Sequence, residues 1–419
     1  MHGVKIRGIL HNFNVTEGTL WYSLGSMMFA LNSMLMLMMV SRVAGVQATG
    51  EFAIAYAISY LLYIVGLFGV NHYQITDYRN EYSFGGYFYA KLITSTIMIL
   101  IFGTVFVISS YPFEKSMYLF LLMTYMLINS FAEVYQSLFF QKNHLTLYGH
   151  SLFFRTLFSL IAFVVCLYAT NSVILALIVC NVVNVASTFF FSVLPSREFI
   201  QRIDYWRDRD DYRHLLMKCL PICISLFLTV FLINSTKYVI DYQGNDIMQG
   251  YFNILFMPTF IITLFSDLIF KLQLPAYSSH IQEQKLNLFY KLFFKHIVFV
   301  AGLTIVGASL GGLFGPDVFG FIFNVDLTPY GQVLALIIVG GGFLAASWLF
   351  YYILIILRSQ MKILYSYLIC SVLSIPLGVV MISHLGIVGA SISFTLSYVL
   401  LAVILFFVLL YELKCVKDG

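Results

Sequence analysis

Arg42, Glu133, Arg155, Lys237, Asp241 and Asp267 stand within or at the ends of apolar stretches that carry few other charges. An ionised side chain at the centre of a membrane-spanning helix costs about 2.5–3.5 kcal/mol on insertion scales, so each such residue needs a partner or a task. Lys237 and Asp241 are four residues apart and can meet on one helical face, as an interfacial pair or as a binding element. Arg42 is either an interface anchor or a phosphate ligand, because a guanidinium suits bidentate contact with phosphate and an ammonium acts as a point charge. Asp267 has Lys271 one turn away and therefore a ready ion-pair partner. Glu133 has only Gln136 and Gln141 near it in sequence, which makes it the stronger candidate for coupling to a proton or sodium ion, with Asp267 and Asp241 as others. Arg155 can neutralise Glu133 or receive an anionic group itself.

Other chemistry is weakly represented. Cys219 and Cys223 lie one helical turn apart, but no His or carboxylate joins them at metal-ligand spacing, and none of the six cysteines suggests a disulfide framework. Asp208-Arg209-Asp210 matches the short string that some glycosyltransferases use to hold a metal and a sugar nucleotide, yet no α/β domain surrounds it, and a solvated face is expected. Asn234-Ser235-Thr236 is a glycosylation sequon inside an apolar run, where it is accidental. No catalytic residue, metal or cofactor is indicated, and the net charge of +4 is too small to argue for nucleic acid.

The elements that must position these residues are membrane helices. Of 419 residues, 60% are hydrophobic and 10% charged, with a mean hydropathy of +0.89, which no ordinary soluble domain shows. A bilayer core needs about 20 apolar residues per helix, and lipid forces the backbone to satisfy its own hydrogen bonds. Apolar runs bounded by polar, Gly or Pro turns predict twelve spans, at residues 20–41, 48–70, 86–109, 117–140, 150–169, 172–194, 216–240, 248–274, 292–314, 331–357, 363–383 and 387–411. With the N-terminus inside, nearly all Lys and Arg fall on one side, and the opposite side keeps only Arg42, Lys115 and Lys237. That bias predicts an even number of spans and two cytoplasmic termini. Outer loops are short, the first at 42–49 and the longest at 315–330. The segment 195–218 mixes charges with Phe199, Tyr205, Trp206 and Tyr212, and it reads as an amphipathic interfacial helix, as does the stretch around Val4–Phe13.

The expected fold is all-α and polytopic, about twelve transmembrane helices in two six-helix lobes around a central cavity. Residues 1–200 form the N-terminal lobe with its interfacial helix, and 201–419 form the linker helix and C-terminal lobe. A weak duplication supports two halves: Thr49-Gly50-Glu51-Phe52-Ala53-Ile54 opens the second span of the first half, and Gln249-Gly250-Tyr251-Phe252-Asn253-Ile254 opens that of the second. Overlapping GxxxG spacings at Gly307, Gly311 and Gly315, and the run Gly340-Gly341-Gly342, predict close helix packing or a hinge.

Ser41-Arg42-Val43-Ala44-Gly45 through Gly50-Glu51-Phe52-Ala53 resembles the joint of the first two helices in bacterial polysaccharide flippases. Leu220-Pro221-Ile222, Gly250-Tyr251-Phe252 and Leu385-Gly386-Ile387-Val388-Gly389-Ala390 resemble the same family at the openings of spans seven, eight and twelve. These are the O-antigen and capsule repeat-unit flippases of the multidrug/oligosaccharidyl-lipid/polysaccharide exporter superfamily, and the resemblance extends over the whole chain. It implies movement of an undecaprenyl-diphosphate-linked oligosaccharide from the inner to the outer leaflet of a bacterial cytoplasmic membrane by alternating access, coupled to H+ or Na+. It also implies contact with polysaccharide polymerase machinery. On that reading Arg42, Arg155 and Lys237 are the cavity cations that meet the diphosphate.

Two other readings remain. A multidrug exporter of the same fold commonly carries an acid and a proline in its first helix, whereas here the first proline is Pro112 and span one has no acid. A membrane glycan polymerase or glycosyltransferase needs carboxylates or basic residues gathered on a sizeable outer loop, and the longest outer loop here has only Asp317 and Asp326. The chain is therefore expected not to be an enzyme.

Overall fold

The computed structural model describes residues 17–77, 80–200 and 212–418. The stretch around Val4–Phe13, the string Asp208-Arg209-Asp210 and the middle of the charged 195–218 segment lie outside the described residues. Among the described residues the regular structure is entirely helical. We number the helices α1 (Glu17–Leu67), α2 (Val70–Thr76), α3 (Phe84–Ser109), α4 (Phe113–Gln141), α5 (Leu145–Thr170), α6 (Val173–Thr188), α7 (Tyr212–Tyr242), α8 (Asp246–Gln282), α9 (Leu286–Phe323), α10 (Gly331–Ile356) and α11 (Gln360–Asp418). A π-helical turn, Phe189–Val193, prolongs α6.

Among the described residues, ten helical segments are long and apolar enough to cross a membrane. Two of them are double. α1 has 51 residues and α11 has 59, which at about 1.5 Å per residue is more than twice a bilayer core of about 30 Å. Each is broken at one glycine: Gly45 at φ 82°, ψ −177° and Gly386 at φ 57°, ψ −131°. The first break is a reversal, because Phe29 and Tyr63, on opposite sides of Gly45, bring their ring centroids within 6.4 Å. The second is another: a Cβ placed on Gly378 would lie 3.3 Å from Ser393 Oγ across Gly386. Among the described residues, eight single spans and two double ones give the twelve crossings expected from hydropathy.

The loops are shorter than the sequence suggests. The expected outer loop at 42–49 is helical except at Gly45, since a residue without Cβ turns the chain at positive φ while the flanking turns keep their bonds. Thr49 Oγ1 donates to Gly45 O at 2.7 Å. The expected loop at 315–330 is also mostly helix: α9 continues through Pro316 to Phe323 and ends on Asn324 in the left-handed region, leaving 324–327 before a 3-10 turn at Thr328–Tyr330. Three other helix starts carry side-chain caps, with Ser83 accepting from Gly86 N, Ser172 from Leu175 N and Asn245 from Met248 N. Several hydroxyls inside spans return to their own helix, as Thr96 to Leu92 O and Thr124 to Phe120 O, both at 2.9 Å.

The chain divides into two compact units. The first comprises the described residues of Met1–Ala44 and Ala55–Leu226, so it runs on into α7. α4 is its most enclosed helix, burying Leu119, Leu122, Met126, Asn129, Glu133 and Gln136 among others. The second comprises Gly45–Ile54 and the described residues of Phe227–Gly419. α10 lies at its centre, and its three consecutive glycines, each turned about 100° from the last, face three different helices. Added Cβ atoms on Gly340, Gly341 and Gly342 would lie 2.7 Å from Phe394 in α11, 3.0 Å from Thr259 in α8 and 2.2 Å from Thr304 in α9. Gly311 and Gly315 of α9 also close on α10, 2.4 Å from Ile338 and Leu334 by the same measure. The two duplicated Gly-x-Phe strings meet within this unit. A Cβ on Gly50 would lie 1.8 Å from Asp246 O, and one on Gly250 would lie 2.2 Å from Val46 O. Each glycine thus faces the carbonyl one turn before the other, a reciprocal contact with local two-fold character.

Candidate functional site

Lys91 on α3, Glu133 on α4 and Arg155 on α5 converge inside the first unit, and all are buried, Lys91 and Arg155 to within 1% of full enclosure. They sit seven, eight and ten residues from the helix ends Phe84, Gln141 and Leu145, or roughly 10–15 Å in at 1.5 Å per residue. Lys91 Nζ donates to Gly66 O at 2.8 Å and to Ser130 Oγ at 3.3 Å. Arg155 donates through one terminal nitrogen to Asn129 Oδ1 at 2.8 Å, and Asn184 of α6 donates to the same oxygen at 3.1 Å. Glu133 feels both cations, and the Tyr63 hydroxyl faces its carboxylate.

No direct ion pair closes this cluster among the described residues. Arg155 Nε and Glu133 Oε2 are both buried without a hydrogen-bond partner. A buried donor or carboxylate oxygen left this way loses its water without replacement, a cost of about 1–3 kcal/mol and more for charged groups. Two cations also face one carboxylate, so with all three ionised the cluster holds formal charge +1. The second cation and the free Arg155 Nε–H suit an anionic group entering the site, whereas Glu133 Oε2 calls for a donor such as a hydroxyl or a cation. Among the described residues no group of three or more His, Cys, Asp or Glu is placed to hold a metal ion.

A polar string continues from this cluster along α4. Gln136 donates to Ser151 Oγ at 3.0 Å, and Ser151 bonds Ser192 at 2.8 Å. Ser192 lies in the π-helical turn of 189–193, where the extra residue per turn re-aims side chains.

The other expected residues are placed differently. Lys237 is buried in the second unit, not snorkelling, and among the described residues it forms no ion pair with Asp241; its ammonium lies 4.6 Å from the Phe256 ring centroid. Asp241 carries one buried carboxylate oxygen without a bond but has other interactions. Asp267 is paired with Lys271 at 2.7 Å and accepts from Tyr352. Arg42 is exposed. The structure therefore groups Glu133 with Arg155, and it adds three residues the sequence reading passed over. Lys91 lies seven residues inside α3, which begins two residues before its expected start. Asn129 and Asn184 carried a usable signal: carboxamides inside apolar runs need partners in lipid.

No family profile matches the sequence, and no curated protein matches it. Solved structures do. The inward-facing conformation of a multidrug resistance MATE family transporter of the MOP superfamily aligns with TM-score 0.73 and 14% identity, covering 96% of this chain and 100% of that one. The outward-facing conformation of such a transporter gives TM-score 0.59 at 13% identity, over 96% and 95% of the two chains. A MOP superfamily transporter from Pyrococcus furiosus, described by the reverse polarity of its binding pocket, gives TM-score 0.54 at 14% identity, over 96% and 95%. The chain has the all-α polytopic fold of MATE transporters, and at these identities the likeness establishes the fold alone.

Proposed function

We propose that the protein is a flippase that moves a polyprenyl-diphosphate-linked oligosaccharide from the inner to the outer leaflet of a bacterial cytoplasmic membrane, by alternating access and with ion coupling. The observation that carries this reading is the pair of buried basic residues in the first unit, Lys91 and Arg155 against Glu133, with the donor Arg155 Nε unpartnered. A diphosphate supplies the acceptor that Arg155 lacks, and a guanidinium meets phosphate oxygens in a planar fork. Lys237 gives the second unit a buried cation of its own. Glu133 is the carboxylate assigned to ion coupling, by H+ or Na+. The sequence motifs support the saccharide, and the Pyrococcus structure of similar fold is described by a binding pocket of reverse polarity.

Proteoliposomes holding fluorescent undecaprenyl-diphosphate N-acetylglucosamine test it, with an impermeant quencher reporting outer-leaflet lipid. The protein should accelerate exchange, and Arg155→Ala should slow it at least about tenfold, the loss of one charged hydrogen bond of about 1.4 kcal/mol or more. Equal rates with and without wild-type protein would refute the reading.

A second reading, a multidrug exporter, is favoured by the MATE neighbours themselves. It predicts transport of lipophilic cations, which two buried basic residues against one carboxylate oppose.

A further inference from the structure

Along the second limb of α1, Tyr56, Tyr60 and Tyr63 recur at i, i+4 and i+7 and fall on one helical face. Their rings form a ladder. Tyr56 and Tyr60 are stacked with centroids 6.4 Å apart and planes at 14°, and Tyr60 and Tyr63 follow at 5.7 Å. The lower rung is committed, since Tyr63 is buried and its hydroxyl faces Glu133. The upper rungs differ: Tyr56 and Tyr60 are only half-buried. Part of each ring is therefore left uncovered by protein atoms. Tyr56 is held in place by Asn32 and Ser33, whereas Tyr60 makes no hydrogen bond to any described residue, and its electrostatic neighbour is Glu133.

A packing tyrosine in lipid normally finds a partner for its hydroxyl. Tyr60 instead offers a flat apolar face and a free hydroxyl beside a charged cluster. Pyranose rings carry patches of axial C–H on one face and hydroxyls around the rim, which matches that combination.

We propose that Tyr56 and Tyr60 form a stacking platform for the sugar adjacent to the diphosphate, so that the first unit reads the saccharide as well as the phosphate. This rests on the flippase reading and assigns its sugar contact. The phosphate goes to the Arg155 side of the cluster, and the first pyranose lies against the ladder.

The test uses the full-length protein in lipid nanodiscs with two probes, undecaprenyl diphosphate and undecaprenyl-diphosphate N-acetylglucosamine. Tyr60→Leu should weaken binding of the sugar-bearing probe about tenfold, the scale of one aromatic stacking contact, and leave undecaprenyl diphosphate unchanged. Tyr60→Phe, which keeps the ring, should retain most of the sugar affinity. Arg155→Ala should weaken both probes. If Tyr60→Leu weakens neither probe, or both equally, the platform is wrong while the flippase reading stands. If neither probe binds the wild-type protein, the flippase reading falls and takes the platform with it.

Discussion

Lys91 and Arg155 should respond differently to removal, because their supporting groups differ. Gly66 O accepts from Thr94 Oγ1 at 2.8 Å as well as from Lys91. Lys91→Met therefore leaves that carbonyl satisfied and should change thermal unfolding by no more than about 1 kcal/mol, while translocation falls. Arg155 is the larger loss: Asn129 Oδ1 keeps only Asn184, and Glu133 keeps only Lys91 as a nearby cation. Arg155→Met should lower both translocation and thermal stability, and Arg155→Lys should restore charge without restoring rate, since an ammonium lacks the fork. Measured unfolding that ranks the two in the opposite order would contradict these assignments. At this scale the sequence showed Glu133 and Arg155 because charges in apolar runs are conspicuous. It hid Tyr56 and Tyr60 among 29 tyrosines, most of which lipid and interface explain equally well.

Helix boundaries were legible wherever polarity changes sharply and illegible wherever the chain turns without leaving the helix. Gly45 and Gly386 each reverse the chain in one residue, and hydropathy sees only the polar neighbours that suggest a loop. The reciprocal contact of Gly50 and Gly250 gives the clearest element-scale prediction. Its obstructing atoms are backbone oxygens and cannot rotate away, so Gly50→Ala should destabilise by more than about 3 kcal/mol, at or beyond the usual range for overpacking. Gly103 in α3 has nothing within 4 Å of an added Cβ, and Gly103→Ala should be neutral or stabilise by up to about 1 kcal/mol. Thermal unfolding in detergent separates them, and similar effects would remove the contact's significance. Between α2 and α3, Glu81 accepts from Lys218 and from the Tyr73 hydroxyl, and the Lys218 bond is the main reason its carboxyl is held below the usual range. The folded value is depressed, so this contribution is present above the unfolded carboxylate pKa of about 4.3 and fades as pH falls through the folded value. Wild-type melting should therefore decline more between pH 5 and 3 than that of Glu81→Gln; parallel profiles would assign Glu81 no such role.

The whole molecule was the most legible scale, since twelve crossings follow from bilayer thickness and hydropathy alone. The orientation proposed from the asymmetric Lys and Arg makes a prediction for a native residue. Cys415 is exposed near the end of α11, whereas four of the other five cysteines are buried. An impermeant maleimide should label it in inverted vesicles and not in right-side-out ones; the reverse pattern would invert the proposed topology. What the sequence could not supply was the grouping of Lys91, Asn129, Glu133, Arg155 and Asn184, because four helices must pack before those residues meet. The central claim, that buried cations fit this fold for an anionic lipid-linked saccharide, is tested most directly by a side-by-side uptake measurement in proteoliposomes. Fluorescent undecaprenyl-diphosphate N-acetylglucosamine should be translocated by the wild-type protein and not by Arg155→Ala, while ethidium should not be transported by either. Transport of ethidium with no effect on the lipid-linked sugar would contradict the account and identify a multidrug exporter instead.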